Sequence, residues 1–338
     1  MVLPTIQRVL MLQKFGGPDG FTVAEAPVPE PSSGEVLVKV LAASVQFTDI
    51  MIRKGQYPDL KEKPPIVLGY DLVGEVVKVG PGVASPFVGQ RVADMTMTGS
   101  YAQYRTLKAD RVTVVDMALD PAEATSLVLS WTTAYQLLHR DARVKKGQKL
   151  LVIGAAGAVG QALVVLGTLA GCEMWGAVHA RHVELVRSLG AAPVDSDVAD
   201  FAQLLPGNFD VVFDGIGEQG FSRAWAALGP RGRLSAFGVS AGVQRNASIA
   251  VLGFWLAKLW WWNTFSRGRS AGFFSITSAR TKHPEWFVAD LGGLLGMLQR
   301  GQIKPRVAER IGLDGVGDAH TRIERGGLEG KIVLVPNG

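Results

Sequence analysis

The sequence predicts an α/β chain in two parts, a small barrel-like β domain followed by a doubly wound parallel sheet, and three observations carry that expectation. Short strand-like runs separated by Gly/Pro turns fill residues 1 to about 123. Beyond Asp120 the pattern changes to apolar runs alternating with helical segments. At residues 149–160, KLLVIGAAGAVG, an apolar run breaks into small residues and re-emerges as a longer apolar run. A chain of 338 residues accommodates two domains of ordinary size.

In the first part, residues 35–40 (EVLVKV), 72–80 (LVGEVVKVG), 90–94 (QRVAD) and 101–105 (YAQYR) read as strands. The turn signals PVPEP at 27–31, KPP at 63–65 and GPG at 80–82 separate them. Asp120, Pro121 and Glu123 mark a helix start, with Asp as N-cap, Pro in the first turn and Glu at the third position. The helical run continues through Tyr135 to His139. In the second part, strands are expected at 150–153, 173–178, 210–214 and 233–237, and helices over 182–189 and 221–228. Residues 272–276 form a candidate last strand, 284–298 a helix ended at Gly301, and 331–335 a closing strand.

Composition narrows the function. Apolar content of 47% with 19% charged residues fits a globular protein with a sizeable core. The net charge of +5 is mild and contains no Lys/Arg block, which argues against a nucleic-acid partner. The lone cysteine, Cys172, excludes an intramolecular disulfide and a cysteine-rich zinc site, and points to a reducing cytoplasmic setting. The N-terminus lacks the charged and apolar regions of a signal peptide. Residues 249–265, IAVLGFWLAKLWWWNTF, are apolar on every side but shorter than a membrane span and broken by Lys258. With Arg267 and Arg269 following, an interfacial helix is conceivable, but a buried or pocket-lining helix is the simpler expectation.

The strand–glycine turn–helix context at 149–166 is the one a dinucleotide fingerprint requires. Gly157 lets the backbone approach a pyrophosphate, Gly160 lets the helix pack on the strand, and the helix N-terminus offers free N–H groups. The segment Ala155, Ala156, Gly157, Ala158, Val159, Gly160 is thus the candidate phosphate cradle. It departs from GxGxxG, since Ala155 stands at the first glycine, with Gly154 just before it.

The whole order resembles the medium-chain dehydrogenase/reductase superfamily, specifically its zinc-free quinone oxidoreductases related to zeta-crystallin. The resemblance rests on ASVQFTD at 43–49, RKGQYP at 53–58, GYDLVG at 69–74, TAY at 133–135, the glycine turn, SLGA at 188–191 and GKIVL at 330–334. LWWWNTFS at 259–266 further resembles the branch that contains the vesicle amine transport protein. The resemblance implies a GroES-like β-barrel catalytic domain, residues 1–123 completed by 279–338, and a Rossmann NADPH-binding domain, residues 124–278. It also implies a homodimer. Zinc-binding members use a Cys and a Gly-His-Glu motif; here Ser44–Val45 and Gly69, Tyr70, Asp71 stand there, so no metal is expected. Tyr70 is expected only to fill space.

Rossmann units that prefer NAD carry an acid about 20 residues past the glycines. Here that region reads His179, Ala180, Arg181, His182, with no acid. Arg181, helped by His179 or His182, is therefore the candidate 2′-phosphate site, and NADPH the expected cofactor. With no metal to polarise a carbonyl, the expected acceptor is a quinone, or alternatively the C=C bond of an enone or enoyl thioester. A third expectation is an NADPH-binding, membrane-associated protein. The resemblance makes Tyr57 the candidate proton donor and places Gln46, Thr133 and Lys331 near the nicotinamide end of the cofactor. It places the Trp-rich segment, with Trp255 and Trp262, beside the substrate or at a subunit interface.

Overall fold

The computed structural model describes residues 3–198, 201–217, 219–245, 249–266 and 268–337. Arg267, named above as half of an interfacial pair, lies outside them. The chain forms two compact units, residues 1–132 with 283–338, and residues 133–282.

The first unit is built on the strand Glu35–Ser44, which pairs antiparallel with Asp71–Val79 on one side and Tyr104–Lys108 on the other. Arg91–Met95 and Thr113–Val115 extend this sheet past Asp71–Val79. The N-terminal strand Ile6–Leu12 instead pairs with Phe21–Pro27 and Ile66–Val67. The last part of the chain returns to the same unit. Lys331–Leu334 runs antiparallel to Glu35–Ser44, with Val333 opposite Ser44, and parallel to Val307–Ile311. The expected strand at 101–105 begins three residues later. Tyr101 and Ala102 are claimed first by the N-terminal strand, through the Leu10 N–H to Tyr101 carbonyl bond at 2.8 Å and a bridge between Val9 and Ala102.

Asp120 caps the helix Pro121–Ser126 as expected, accepting from the backbone N–H groups of Ala122 and Glu123 at 3.0 Å each. The helical run reaches Asp141, widened by one residue per turn over Leu127–Trp131 and again over Leu137–Asp141. Such widened turns recur at functional sites.

The second unit is a six-stranded parallel sheet. From one edge its strands are Ala192–Asp195, Glu173–Val178, Lys149–Ile153, Phe209–Asp214, Leu228–Ala236 and Ser270–Phe273. In chain order this is 3-2-1-4-5-6, the order of a doubly wound dinucleotide-binding sheet. Leu150, Leu151 and Val152 are fully buried, because helices on both faces leave a central parallel strand no solvated side. The fifth strand starts at Leu228, five residues before its expected start, and a register shift opposite Phe209 and Val211 accommodates its Gly229, Pro230 and Gly232. The expected last strand at 272–276 lies at Ser270–Phe273, and Ile276 instead opens a helix to Lys282.

Candidate active site and dinucleotide cradle

In the parallel-sheet unit, the strand Lys149–Ile153 runs through a tight turn into the helix Ala158–Leu169. The left-handed conformation of the turn belongs to Gly154, at φ +85°. Gly154 therefore performs the turning role that the fingerprint gives its first glycine, which is why Ala155 is tolerated one position later, fully buried. A Cβ on Gly160 would sit 2.2 Å from the Gly154 carbonyl oxygen, so the helix approaches the turn only because residue 160 has no side chain. Gly157 is the N-cap residue; it and Ala158 are exposed, and residues 155–158 carry no side chain larger than a methyl group. The first N–H groups of the helix have no partner within it and carry the positive end of its dipole. The residues present fit a pyrophosphate: a turn of small residues, an exposed helix N-terminus and the right local charge.

At the end of the second strand, His179 and Arg181 are exposed, whereas His182 is buried and its Nε2 accepts from Arg181 Nε at 3.2 Å. The tertiary fold adds an acid. Asp197, just past the strand Ala192–Asp195, pairs with His179 Nδ1 through one carboxylate oxygen and accepts from the Ala180 N–H at 3.0 Å through the other. The His179 hydrogen bond, then the Ala180 bond, with smaller contributions from the charges of His179 and Arg181, hold Asp197 below the usual carboxylate range. The sequence segment 178–182 contains no acid, and nothing in its spacing points to one 18 residues from His179.

Asp214 ends the fourth strand of the sheet, fully buried. One of its oxygens accepts from the N–H groups of Ile216 at 2.7 Å and Gly217 at 3.1 Å, the other has no partner among the described residues, and burial pushes the carboxyl up to about 7. Ile216 in turn lies against Gly154 of the turn.

The Trp-rich segment forms one helix, Ile249–Phe265. Trp255 packs into the core of the sheet unit, and Trp262 stacks on Trp225 with ring centroids 4.8 Å apart. Phe254, Trp260, Trp261 and Phe265 are exposed. No helix among the described residues is long and apolar enough to cross a membrane. Thr133 is buried at the start of the second unit.

In the first unit, Gln46, Asp49, Asp71 and Lys331 converge in a buried polar cluster. Gln46 is the N-cap of the helix Phe47–Arg53, and its backbone N–H donates to Asp49 Oδ2 at 2.9 Å. Because the closing strand lies against Ser44, the Lys331 side chain reaches inward and its ammonium donates to Gln46 Oε1. Gln46 Nε2 donates to Asp71 Oδ2 at 2.5 Å, and the Ser44 N–H donates to Asp71 Oδ1 at 2.9 Å. Lys331 on Oε1 and Asp71 on Nε2 together fix which way the Gln46 amide points. Tyr101 OH donates to Asp49 Oδ2 at 2.9 Å, while Asp49 Oδ1 is buried without a hydrogen-bond partner among the described residues. Burial pushes Asp49 up to about 7 and Lys331 down to about 8, and it also raises Asp71.

Tyr57 lies in the same unit, with its hydroxyl 2.6 Å from that of Tyr70 and the rings edge to face at 5.8 Å. Tyr70 does more than fill space: it is 1% exposed, yet its hydroxyl meets that of Tyr57. Tyr57 borders a cavity of about 150 Å³ with Phe15, Ile52 and Leu60, rimmed by Lys61, Glu62 and Lys63. Among the described residues no group of three or more His, Cys, Asp or Glu side chains is arranged to hold a metal ion.

Sequence inspection overlooked Asp71 and Asp49 as site groups. Both were legible in part, Asp49 from its spacing of three from a helix N-cap and Asp71 from the motif it shares with Tyr70.

Comparisons with known proteins agree with this architecture. Residues 32–117 match the family model of the alcohol dehydrogenase GroES-like domain, and residues 189–334 that of the zinc-binding dehydrogenases. A 2-haloacrylate reductase from Burkholderia sp is 34% identical over 244 residues, covering 69% of this chain and 73% of the relative. A synaptic vesicle membrane protein VAT-1 homolog from Rattus norvegicus is 28% identical over 351 residues, covering 97% of this chain and 84% of that protein. Among solved structures, a mycobacterial quinone oxidoreductase superimposes with a TM-score of 0.81 at 28% identity, covering 98% of this chain and all of that one.

Proposed function

The chain belongs to the medium-chain dehydrogenase/reductase superfamily, and from that premise we propose that it is a zinc-independent, NADPH-dependent reductase of activated C=C bonds. The observation that carries this reading is the Tyr57 hydroxyl, held 2.6 Å from that of Tyr70, with Tyr57 bordering a small cavity. Bound NADPH supplies the hydride that such an acceptor takes at its β-carbon. The chain's own residues then have two tasks. Tyr57 delivers the proton to the α-carbon, so that hydride and proton together convert C=C to C–C. Tyr70 orients that hydroxyl and can share the proton across the pair. The residues of the turn, 155–160, would hold the pyrophosphate, with Arg181 taking the 2′-phosphate; Gln46, Thr133 and Lys331 would serve the nicotinamide end.

The donor chemistry supports independence from zinc. Where zinc-binding relatives have a histidine, Tyr70 offers a phenol already engaged with Tyr57, a poor substitute for imidazole, thiolate or carboxylate. A quinone is the second acceptor class, favoured by likeness to the mycobacterial quinone oxidoreductase across nearly the whole chain. A homodimer fits the strand Ser270–Phe273, which ends the described sheet.

The test is NADPH oxidation with an α,β-unsaturated ketone beside an ortho-quinone, for wild type and Tyr57→Phe. Enone turnover that collapses in the variant supports the reading. Turnover of the quinone alone, unaffected by Tyr57→Phe, replaces it with the quinone reading. Binding of NADPH without turnover of either acceptor overturns both.

A further inference from the structure

The cavity beside Tyr57 has two chemically distinct parts. Phe15, Ile52 and Leu60 give it an apolar lining beside Tyr57, whose hydroxyl is held by that of Tyr70. Its rim is charged, formed by the consecutive residues Lys61, Glu62 and Lys63, all exposed. Neither lysine takes part in an ion pair among the described residues, whereas the neighbouring Lys54 and Arg53 are both committed to Glu324. Glu62 is partly answered from within the same unit, since its charge acts on the largely buried Arg105 guanidinium. The rim therefore presents two uncommitted ammonium groups against one carboxylate that already has a cation near it. A cavity of this volume admits a group about the size of benzene.

We infer that the acceptor is a short unsaturated molecule carrying an anionic group, its C=C bond in the apolar part beside Tyr57 and its negative charge at Lys61 and Lys63. This rests on the reductase reading above and narrows it to a substrate class. The apolar residues beside Tyr57 offer an acceptor only a small contact area, and a charge at the rim adds both affinity and orientation. Low-dielectric walls beneath the lysines focus their field and raise the local concentration of an anion, an effect that salt weakens. The anion is a carboxylate on the acceptor itself, since Lys61 and Lys63 line the same small cavity as Tyr57 and the pantetheine arm of a carrier thioester would hold its phosphate far beyond them.

The matched pair 6-oxo-4-heptenoate and its methyl ester separates charge from reactivity, since two methylene groups insulate the same ketone-activated C=C bond from the acid or ester group. The wild-type enzyme should favour the acid about tenfold in kcat/KM at low salt, with the difference in KM. In the double variant Lys61→Gln, Lys63→Gln the acid-to-ester ratio should fall towards one, and salt should lower the wild-type ratio in the same direction. Equal efficiency for the acid and its ester in wild type, or a preference unmoved by the double variant, overturns the inference. Binding of the saturated, non-reducible 6-oxoheptanoate by calorimetry keeps this separate from the reductase reading. If no acceptor is turned over but 6-oxoheptanoate binds wild type and not the double variant, the anion site stands and the reductase reading falls. If neither turnover nor binding is seen, the anion site falls too.

Discussion

The hydroxyl groups of Tyr57 and Tyr70 stand 2.6 Å apart, one ring bordering a cavity and the other buried beneath it. The two differ in what each hydroxyl can reach, and that difference separates donor from support. Tyr57→Phe should lower enone kcat by about 10²–10⁴-fold, the usual contribution of a positioned proton donor. Tyr70→Phe keeps the donor and should cost only about tenfold, because it removes one hydrogen bond to the donor. Steady-state rates of both variants across pH check the ranking. Equal losses would show that the pair acts as one unit with no separate donor.

Lys331 is the only cation described as bonded to the buried cluster of Gln46, Asp49 and Asp71. Lys331→Met should destabilise the fold by about 3–5 kcal/mol, as removal of one partner from a buried charge group does. The penalty should grow with pH. At low pH the carboxyl groups of Asp49 and Asp71, both raised by burial, take up protons and no longer need a cation. As pH rises through about 7, where Asp49 ionises in the folded protein, they do. Urea denaturation at pH 5.5 and pH 8 measures both values, and a penalty independent of pH would contradict this account.

Asp197 and Arg181 make opposing demands on the cofactor. The Asp197 carboxylate already satisfies His179 and the Ala180 N–H, and its negative charge opposes a 2′-phosphate that Arg181 would attract. Arg181→Ala should weaken NADPH binding by about tenfold and leave NADH nearly unchanged. Asp197→Asn should shift the preference further towards NADPH. Dissociation constants for the two cofactors, measured by fluorescence titration, decide it; an Asp197→Asn variant that loses NADH binding outright would assign the acid to the ribose hydroxyl instead.

Asp214 sets a pH dependence of stability. Its folded-state value, raised by burial to about 7 from an ordinary 3.8, means that the folded protein holds a proton that the unfolded chain has released. Stability therefore falls as pH rises from about 4 to 7 on account of this group. Asp214→Asn keeps an acceptor for the Ile216 and Gly217 N–H groups but cannot ionise. Its Tm relative to wild type should rise between pH 5 and pH 8. A constant difference would mean that Asp214 remains ionised in the fold. Buried His320, lowered to about 3 by burial and by Arg53, works in the opposite direction over about pH 3 to 6.5. It is common to both proteins and leaves the comparison intact.

The amino-acid sequence by itself determined the order of the fold and the presence of the dinucleotide turn. Those are local matters: apolar runs buried on both faces, glycines where backbone must approach backbone, and Asp120 capping a helix are set by neighbours a few residues away. Tertiary structure alone decided which charges meet. Lys331 reaches Gln46 because the closing strand pairs beside Ser44, and Asp197 reaches His179 because the third strand lies next to the second. Tyr70 meets Tyr57 across 13 residues, where no periodicity links them. Trp255 and Trp262 show the same limit, since composition gave the aromatic helix but packing against the sheet unit decided which rings are buried and which are exposed. Electrostatics is the least local force in the chain: burial and strand pairing set the state of a carboxylate, and neither is written in the spacing of the residues that carry it.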